Sequence, residues 1–444
     1  MRILIAGDGE TGVHLAEMLS VENQDVTLIG KDRERLQELD ASCNFMTAAG
    51  DPTSMESLAR CGADSADLFV AVTPDENANI VACGLARSCG ALRCVARVDK
   101  PEFSHPGAAE VMGRFGIDLT ICPEKMAAET ALHFIRHNWV SDWYRLHRGE
   151  LLVVGFRATA GDAFSGRTLR ELAQPPRFFH VAAIKRGEKA VIPRGDDRIC
   201  PGDTLYISTL PANVGRLHRL CGKPSIKAEK IMITGAGRVT ENLLGMLGQG
   251  VSVTVIDPDR ERCREMAFKF PDAIIVNARS SDVVTMKDEG IDGCDMFLAL
   301  TGSSEANIVS CMVAREHGVR KTLARIEEFQ YMQEAESLAI GKIVNKKQLN
   351  TGMVMNMLLD SDAAATRCLA TDKAEVTVLV ATERSRIVTR PICELSLPRE
   401  LTIAGLVRDG KGELVEGSTH IRPGDHVVVF FLTGSLSKVK RLFN

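Results

Sequence analysis

The sequence lacks three features that would each define a class of protein. Its 13 cysteines include no C-x-x-C pair, which excludes the common zinc cages and is typical of reduced thiols. Lys and Arg number 54 against 58 Asp and Glu, a formal net charge of −4, so no basic surface indicates a nucleic-acid partner. No apolar run reaches about 18 residues, and Gly7 comes too early for a cleavable signal peptide. We therefore expect a soluble protein that stays inside the cell.

An internal duplication is the main feature that the sequence does contain. Its 444 residues exceed what one hydrophobic core usually organises. Residues 2–12 align with 230–240, and L-F-V-A-V-T-P-D-E-N-A-N aligns with M-F-L-A-L-T-G-S-S-E-A-N, both at an offset of 228. A second segment repeats at an offset of 222, where residues 183–208 align with 405–430. The chain thus has the order A-B-A-B, which predicts two copies of one architecture.

The A and B segments predict different folds. Each A segment alternates short apolar runs, such as I-L-I-A-G and L-F-V-A-V-T, with helical patterns, which predicts a Rossmann-like α/β domain with a doubly wound parallel sheet. Each B segment has short strands, a hairpin signal, R-G-E-K or R-D-G-K, and a P-G-D turn before its last strand, which predicts a small α+β module.

Two helical stretches separate the A and B segments. P-E-K-M-A-A-E-T-A-L-H-F-I-R-H and Q-L-N-T-G-M-V-M-N-M-L-L-D repeat apolar residues at spacings of three and four, so each is expected to pack on another surface, such as that of a partner subunit. The predicted domains are a first Rossmann-like domain at 1–122, a linker helix at 123–140, a first α+β module at 141–224, a second Rossmann-like domain at 229–345, a linker helix at 346–363 and a second α+β module at 364–444.

A G-x-G-x-x-G turn lies between the first predicted strand and the first predicted helix. Gly7 permits the tight turn, Gly9 lets the backbone approach a pyrophosphate, and Gly12 lets the helix pack closely. In the second copy Thr240 replaces the third glycine, which is expected to loosen the helix packing. The first two glycines are retained there as Gly235 and Gly237. A tight turn that holds no ligand is the alternative interpretation of this motif.

The two copies differ at the acidic residue that normally follows such a turn. A carboxylate about 20 residues on, at the end of the second strand, accepts hydrogen bonds from ribose hydroxyls. The second copy has Asp257 at this position. The first copy has Gly30 there, followed by Lys31 and Asp32. The two sites are therefore expected to have diverged.

The charges within the two turns also differ. Asp8 and Glu10 in the first turn repel a phosphate unless Lys31 or Arg97 compensates, although acids at a helix N-terminus also act as caps. The second turn has Arg238, which favours an anion. Charge therefore favours the second site, and the glycine pattern favours the first.

Together these features resemble the tandem RCK (KTN) family of Trk potassium-uptake regulatory proteins (TrkA) over essentially the whole chain. The resemblance rests on the A-B-A-B order, the paired glycine turns, the Gly50-Asp51 pair, the T-P-D-E-N-A-N motif with its echo T-G-S-S-E-A-N, the A-R-V and A-R-I strands and the two P-G-D modules. It implies a cytosolic ring under a membrane channel-like subunit, gated by bound NAD(H) or ATP/ADP.

The resemblance also implies which residues hold the nucleotide. Asp257 is expected to bind the adenosine ribose, with Asp32 as a displaced substitute in the first site, near Lys31. The phosphates are expected along Gly7, Asp8, Gly9, Glu10, Thr11, Gly12, Gly235, Gly237, Arg238 and Val239. The remaining contacts are Gly50 and Asp51 along the adenine, Thr73 and Thr301 at the phosphates or ribose, and Arg97 and Arg325 at a terminal phosphate of this or a neighbouring subunit. For each arginine an ordinary ion pair is the alternative. Ala278-Arg279, where the second copy lacks Gly-Asp, is a departure from the family pattern.

The family further implies the assembly and the partner. Four chains, as a dimer of dimers, would supply eight A segments for the ring. The implied partner is an integral membrane potassium-translocating subunit of the TrkH/TrkG type, with this chain associated peripherally with the inner face of the cell membrane.

An oxidoreductase that uses one A segment for NAD(P) is the rival hypothesis. Such an enzyme needs a proton-transfer residue against the nicotinamide, and neither B segment offers a convincing pocket for one. His133 and His137 are spaced like a metal pair, but the glutamate of H-E-x-x-H and a third ligand are absent. The duplication favours a regulator, so we predict no catalytic residue and no metal.

Overall fold

The computed structural model describes residues 1–173, 177–187, 189–328, 330–338, 340–358, 367–368 and 374–443. Contacts group the chain into two compact units. Compact unit one comprises Met1–Pro123, Tyr144–Gly222 and Lys347–Asn444, and compact unit two comprises Glu124–Trp143 and Lys223–Lys346. Among the described helices, none combines the length and the apolar character that crossing a membrane requires.

The first A segment forms a parallel sheet flanked by helices. Its strands are β1 (Arg2–Ala6), β2 (Asp25–Gly30), β3 (Met46–Ala49), β4 (Leu68–Ala71), β5 (Cys94–Arg97) and β6 (Leu119–Ile121). They pair in the order β3-β2-β1-β4-β5-β6, the order of dinucleotide-binding folds. All four residues of β4 are buried, as expected for a sheet covered on both faces. The helices are α1 (Glu10–Val21), α2 (Arg33–Ser42), α3 (Met55–Arg60), α4 (Glu76–Cys89) and α5 (Ala109–Arg114), and the linker helix α6 (Pro123–Arg136) follows.

The first B segment forms an antiparallel sheet. Its strands are β7 (Asp142–Leu146), β8 (Leu151–Arg157), β9 (Phe179–Arg186), β10 (Lys189–Val191) and β11 (Thr204–Thr209), and its helices are α7 (Leu169–Leu172) and α8 (Val214–Cys221). The order is β10-β9-β11-β8-β7.

The second A segment repeats the parallel sheet. Its strands are β12 (Lys230–Thr234), β13 (Ser252–Asp257), β14 (Ile274–Asn277), β15 (Met296–Ala299), β16 (Lys321–Arg325) and β17 (Lys342–Val344). They pair in the order β14-β13-β12-β15-β16-β17. The helices are α9 (Arg238–Met246), α10 (Arg260–Lys269), α11 (Val283–Asp288), α12 (Ser304–Glu316) and α13 (Gln330–Ser337), followed by the linker helix α14 (Lys346–Leu358).

The second B segment repeats the antiparallel sheet. It contains β18 (Arg367–Cys368), β19 (Ala374–Val380), β20 (Leu401–Arg408), β21 (Lys411–Glu413), β22 (His426–Leu432) and α15 (Leu436–Phe443), with strand order β18-β19-β22-β20-β21. The predicted α/β fold with two small α+β modules is confirmed. The end of the predicted second linker helix, from residue 359, and the 363/364 boundary lie outside the described residues.

The repeated motifs of the B segments meet in space. Arg186 of the first hairpin donates two hydrogen bonds to the buried carboxylate of Asp203 in the P-G-D turn, at 2.8 and 2.7 Å. Arg408 and Asp425 repeat the pair at 2.9 and 2.6 Å. A buried carboxylate requires such a partner. This requirement explains why both ends of the motif recur at the same spacing.

The two B segments share one hydrophobic core within compact unit one. Val153 and Tyr206 of the first belong to the same buried cluster as Val376 and Phe430 of the second. A Cβ at position 405 would lie 3.0 Å from the Leu151 side chain, so Gly405 allows the close approach of β20. The two α+β modules therefore pack against each other through this shared core.

The linker helices are exchanged between the halves of the chain. From Glu124 onward, α6 follows the first A segment but belongs to compact unit two, with the second A segment. Within that unit, Asn138 forms hydrogen bonds of 2.7 and 2.8 Å with the backbone of Ile226. From Lys347 onward, α14 follows the second A segment but belongs to compact unit one. The packing surface that the sequence left open thus lies within the same chain.

A pair of buried carboxyl groups lies where the first A segment meets the second B segment in compact unit one. Glu22, at the end of α1, accepts hydrogen bonds from the backbone N–H groups of Gly434 and Leu436. Glu375, on β19, is 1% exposed. Burial, together with the charge of Glu22, raises the pKa of Glu375 from its ordinary 4.5 to about 8.

We expect this pair to make stability depend on pH. Because the folded-state pKa of Glu375 is raised, the contribution of this group to stability is highest below about pH 4.5, falls as the pH rises, and levels off above about pH 8. The total loss from this group is on the order of 5 kcal/mol. Urea unfolding at pH 5 to 9 measures it. In Glu375→Gln the slope should be smaller, with stability close to the parent at pH 5 and higher at pH 8. An unchanged slope would contradict this assignment.

Candidate functional site

The two glycine turns have the geometry of anion sites. Gly7 and Gly235 adopt φ of +131° and +101°, a region that favours glycine, and turn the chain from the strand toward the helix. Gly9 and Gly237 are the N-cap residues of α1 and α9, and a Cβ at either position would meet nothing within 4 Å. An open helix N-terminus with free backbone N–H donors binds phosphate.

The third position of the motif explains how closely each helix packs. A Cβ at Gly12 would lie 1.8 Å from the carbonyl oxygen of Gly7, so the first turn tolerates no side chain there. Thr240 is completely buried at the matching position, and its hydroxyl donates to the carbonyl oxygen of Gly235 at 2.5 Å. The second turn therefore accommodates a side chain and gains a hydrogen bond from it.

Each site holds a carboxylate between the turn and the second strand, but a different residue supplies it. Asp257 at the end of β13 accepts the backbone N–H of Ala236 at 2.7 Å and that of Asp259 at 2.8 Å. In the first site Asp8, from the turn itself, accepts the backbone N–H of Asp32 at 3.0 Å. A Cβ at Gly30 would lie 2.4 Å from the Cβ of Asp8. The side chain of Asp8 thus fills the space that a residue at position 30 would need.

Asp32, the predicted displaced substitute for the ribose ligand, lies at the start of α2. Its carboxylate accepts the backbone N–H of Arg35 at 3.1 Å and caps α2. Asp259 caps α10 in the same way, through Glu261 and Arg262. The two caps match, so both side chains stabilise a helix start, and a ribose contact of Asp32 stays a prediction.

The expected adenine contacts lie together in the first site. Lys31 Nζ is 2.8 Å from the carboxylate of Asp51, and hydrogen bonds from Lys31 and Thr53 lower the pKa of Asp51 to about 2. Gly50 is bonded through its N–H to the carbonyl oxygen of Gly30 at 2.8 Å. In the second site the Ala278 N–H donates to the backbone carbonyl oxygen of Asp257 at 3.1 Å. The same backbone hydrogen bond is therefore present in both sites, although the second has Ala278-Arg279 in place of Gly-Asp.

A buried asparagine closes each site, and its role could not be predicted from the motif that contains it. Asn79 accepts from the N–H and hydroxyl of Thr73 at 2.9 and 2.6 Å and donates to the carbonyl oxygens of Thr73 and Arg97. Asn307 makes the same four bonds to Thr301 and Arg325 in the second site. These clamps explain why T-P-D-E-N-A-N recurs as T-G-S-S-E-A-N, since both motifs keep the threonine and the asparagine.

The two predicted phosphate arginines form ion pairs within their own segments. Arg97 is 3.1 Å from Asp99 and donates to the carbonyl oxygen of Thr73 at 3.3 Å. Arg325 is 2.5 Å from Glu327. The alternative interpretation of an ordinary ion pair therefore describes the observed contacts, and a role for these arginines at a terminal phosphate stays a prediction.

The predicted phosphate contacts in the first turns of α1 and α9 differ in charge and in burial. Glu10, the first residue of α1, forms an ion pair with Lys347 of the linker helix α14. Lys347 is 8% exposed. The burial of His14 on α1, together with the positive charge of Lys347, lowers the pKa of His14 to about 4. Thr11 is half-buried, Val239 is buried, and Arg238 is exposed. Lys347 brings the linker to the first glycine turn, a contact that no local sequence pattern predicts.

The histidines that are spaced like a metal pair have another environment. His137 stacks on Trp143 with ring centroids 3.7 Å apart, and His133 lies 6.2 Å from His137. Within the described ranges, no three His, Cys, Asp or Glu side chains are grouped as a metal site would require. The observed contacts are those of packed rings.

The fold and the two sites define a tandem Rossmann-type protein with a nucleotide-binding geometry in each half. Family models describe residues 3–123 and 231–346 as TrkA-N domains and residues 153–222 and 376–444 as TrkA-C domains. The chain belongs to the TrkA family.

Full-length relatives agree with this membership, and a solved structure shares the fold. The Trk system potassium uptake protein TrkA homolog of Archaeoglobus fulgidus is 28% identical over 451 residues, covering all of both chains. TrkA homolog 1 of Methanosarcina mazei is 26% identical over 452 residues, again covering all of both chains. A GsuK channel bound to NAD has a TM-score of 0.65 at 16% identity and covers all of this chain and 78% of its own, which shows a shared fold.

Proposed function

We propose that this chain is a nucleotide-sensing regulatory subunit of a Trk-type potassium uptake system. The observation that best supports the proposal is the arrangement at the first turn, where an open helix N-terminus lies beside the linker lysine Lys347. A ligand at this position meets a residue of the linker directly. Such a contact suits a sensor, because the ligand changes the surroundings of an element that joins two domains.

The ligand we propose is NAD(H) or an adenine nucleotide, ATP or ADP. The phosphates would lie at the backbone N–H groups of the glycine turns, the adenine along Gly50 and Asp51, and Thr73 and Thr301 at the phosphates or ribose. Support comes from the open Cβ positions of Gly9 and Gly237 and from the Asn79 and Asn307 clamps that fix the two threonines. The NAD named for the GsuK channel is consistent with this class of ligand.

The partner we propose is an integral membrane potassium-translocating subunit of the TrkH/TrkG type. The chain would act at the inner face of the membrane as a homotetrameric ring of eight A segments. The names of the full-length relatives support the potassium system. The duplication supports a ring, because two similar A segments per chain give an assembly pseudo-symmetric interfaces.

Coupling follows from competition at the first turn. A bound phosphate and the Glu10 carboxylate would both attract Lys347, and the phosphate carries the larger charge. Binding would therefore weaken the ion pair that holds the start of α14 to α1. The conformation favoured by the ligand would be the one in which α14 has rearranged, since only differential affinity shifts an equilibrium.

Titration of the purified chain with NADH, NAD, ATP and ADP tests this function. We expect binding of at least one nucleotide, a change in amide hydrogen exchange in α14, and no cofactor oxidation or reduction with any of a panel of hydroxy- and oxo-acid substrates. Turnover of NAD(P) with a substrate would favour the oxidoreductase. Binding without any change in α14 would exclude the proposed route of coupling.

A further inference from the structure

We propose that Asp8 is the ribose-recognising residue of the first site, in the role that Asp257 has in the second. The inference rests on the proposed function, because it assigns a residue to a nucleotide site. It names the ligand class more narrowly: the first site would take a nucleotide with free 2′- and 3′-hydroxyls, such as NAD(H) or ADP, and would reject one with a 2′-phosphate.

The second site sets the reference geometry. Asp257 ends β13, and its carboxylate is fixed by the backbone N–H groups of Ala236 and Asp259, at 2.7 and 2.8 Å. It is 5% exposed and faces the turn that begins α9. A carboxylate held in this place accepts hydrogen bonds from ribose hydroxyls and repels a 2′-phosphate.

In the first site a carboxylate accepts a hydrogen bond from the matching backbone N–H group, but it comes from the glycine turn rather than from the end of the second strand. Asp8 takes the position of Ala236, Gly30 takes that of Asp257, and Asp32 takes that of Asp259. The carboxylate of Asp8 accepts the backbone N–H of Asp32, as Asp257 accepts that of Asp259. The two sites thus share one anchor for the carboxylate although its side chain starts from a different strand end.

The exchange is reciprocal because the space admits one side chain. A Cβ at position 30 would lie 2.3 Å from Asp8 Oδ2 and 2.4 Å from Asp8 Cβ, far inside van der Waals contact. An acid at both positions would clash, and an acid at neither would leave the N–H of Asp32 without this acceptor. The glycine at position 30 and the aspartate at position 8 therefore depend on each other, because the first makes room for the side chain of the second.

The geometry also favours Asp8 over Asp32, the acid nearest to the expected place in the sequence. The Asp32 carboxylate is engaged by the N–H of Arg35 as the cap of α2. Its counterpart Asp259 makes the same kind of cap in a site that already contains Asp257. A residue that has a matching structural role in both copies does not explain how the first copy recognises ribose.

The experiment uses the full chain with its second site blocked by Gly237→Asp, so that calorimetry with NADH reports the first site alone. We expect Asp8→Ala to weaken NADH binding by on the order of 10- to 100-fold, the loss of hydrogen bonds to a charged group. Asp8→Ala with Gly30→Asp, which copies the pattern of the second site, should restore the affinity to within about threefold. Asp32→Ala serves as the competing variant.

The outcomes separate this inference from the proposed function. Unchanged NADH affinity in Asp8→Ala, or a comparable loss in Asp32→Ala alone, overturns the assignment while nucleotide binding itself stands. No binding to the Gly237→Asp chain overturns both at this site. If the double variant does not fold, NADPH decides: the parent should prefer NADH, and Asp8→Ala should lose that preference. Equal preference in the parent and in Asp8→Ala overturns the inference.

Discussion

Gly9→Asp is expected to abolish nucleotide binding at the first site while leaving the fold intact. The residue has φ −72° and ψ 171°, which any amino acid adopts, and its Cβ would meet nothing within 4 Å. Aspartate is also a favourable N-cap, so α1 should not be weakened. Its carboxylate would stand where the pyrophosphate approaches. Two like charges about 4 Å apart cost about 4 kcal/mol near a protein surface, which predicts a loss of more than about 100-fold.

Gly237→Asp is the matched variant for the second site, with an equally open Cβ and φ −85°. Calorimetric titration with NADH and ADP should show each variant losing one class of sites, and the double variant losing both. Gly113→Asp and Gly245→Asp add the same charge at other open, exposed helix positions and should bind as the parent does. Unaltered binding in both site variants, with normal thermal unfolding, would show that the nucleotide binds away from the two glycine turns.

Gly12→Ala is expected to destabilise the chain strongly. The added methyl carbon would lie 1.8 Å from the carbonyl oxygen of Gly7, so α1 must move away from the turn. Overpacking of this kind costs roughly 3 kcal/mol, and moving the helix N-terminus should also weaken the first nucleotide site. Urea unfolding measures the cost as a shift of the midpoint, which is appropriate for a chain with more than one cooperative unit.

Two variants serve as controls for this prediction. Gly9→Ala adds the same methyl group to open space in the same turn and should shift stability by less than about 0.5 kcal/mol. Thr240→Ala, at the matching position of the second copy, should cost about 1 kcal/mol by removing the hydrogen bond to Gly235. A wild-type midpoint for Gly12→Ala would mean that the first turn relaxes as the second has done.

The fold was predictable because its signals are local and occur twice. The alternation of apolar runs and helical patterns predicted the doubly wound parallel sheets, which the structure contains. The hairpins were predictable from R-G-E-K and R-D-G-K, where Arg186 faces Lys189 and Arg408 faces Lys411. Each of these signals depends on residues that are near one another in sequence.

The candidate site was predictable only in part, because its contacts join distant residues. The glycine turns were recognisable as motifs, but the space shared by Asp8 and Gly30 depends on the pairing of β1 with β2. The clamp from Asn79 to the end of β5 spans 18 residues. Lys347 reaches Glu10 across 337 residues. Local sequence patterns do not bring such partners together. The sequence therefore shows which charged residues are present but not which of them lie at the site.

The exchange of linker helices has a consequence for how the two sites were able to evolve. Two identical half-length chains that traded helices in this way would bury the same faces, but every mutation would then alter both sites at once. Once the halves are joined in one gene, a mutation changes a single site. The pairs Asp8 with Gly30 and Ala236 with Asp257 differ between the halves, as such independent change allows. The fused chain thus keeps two copies of one architecture and permits two unlike sites within it.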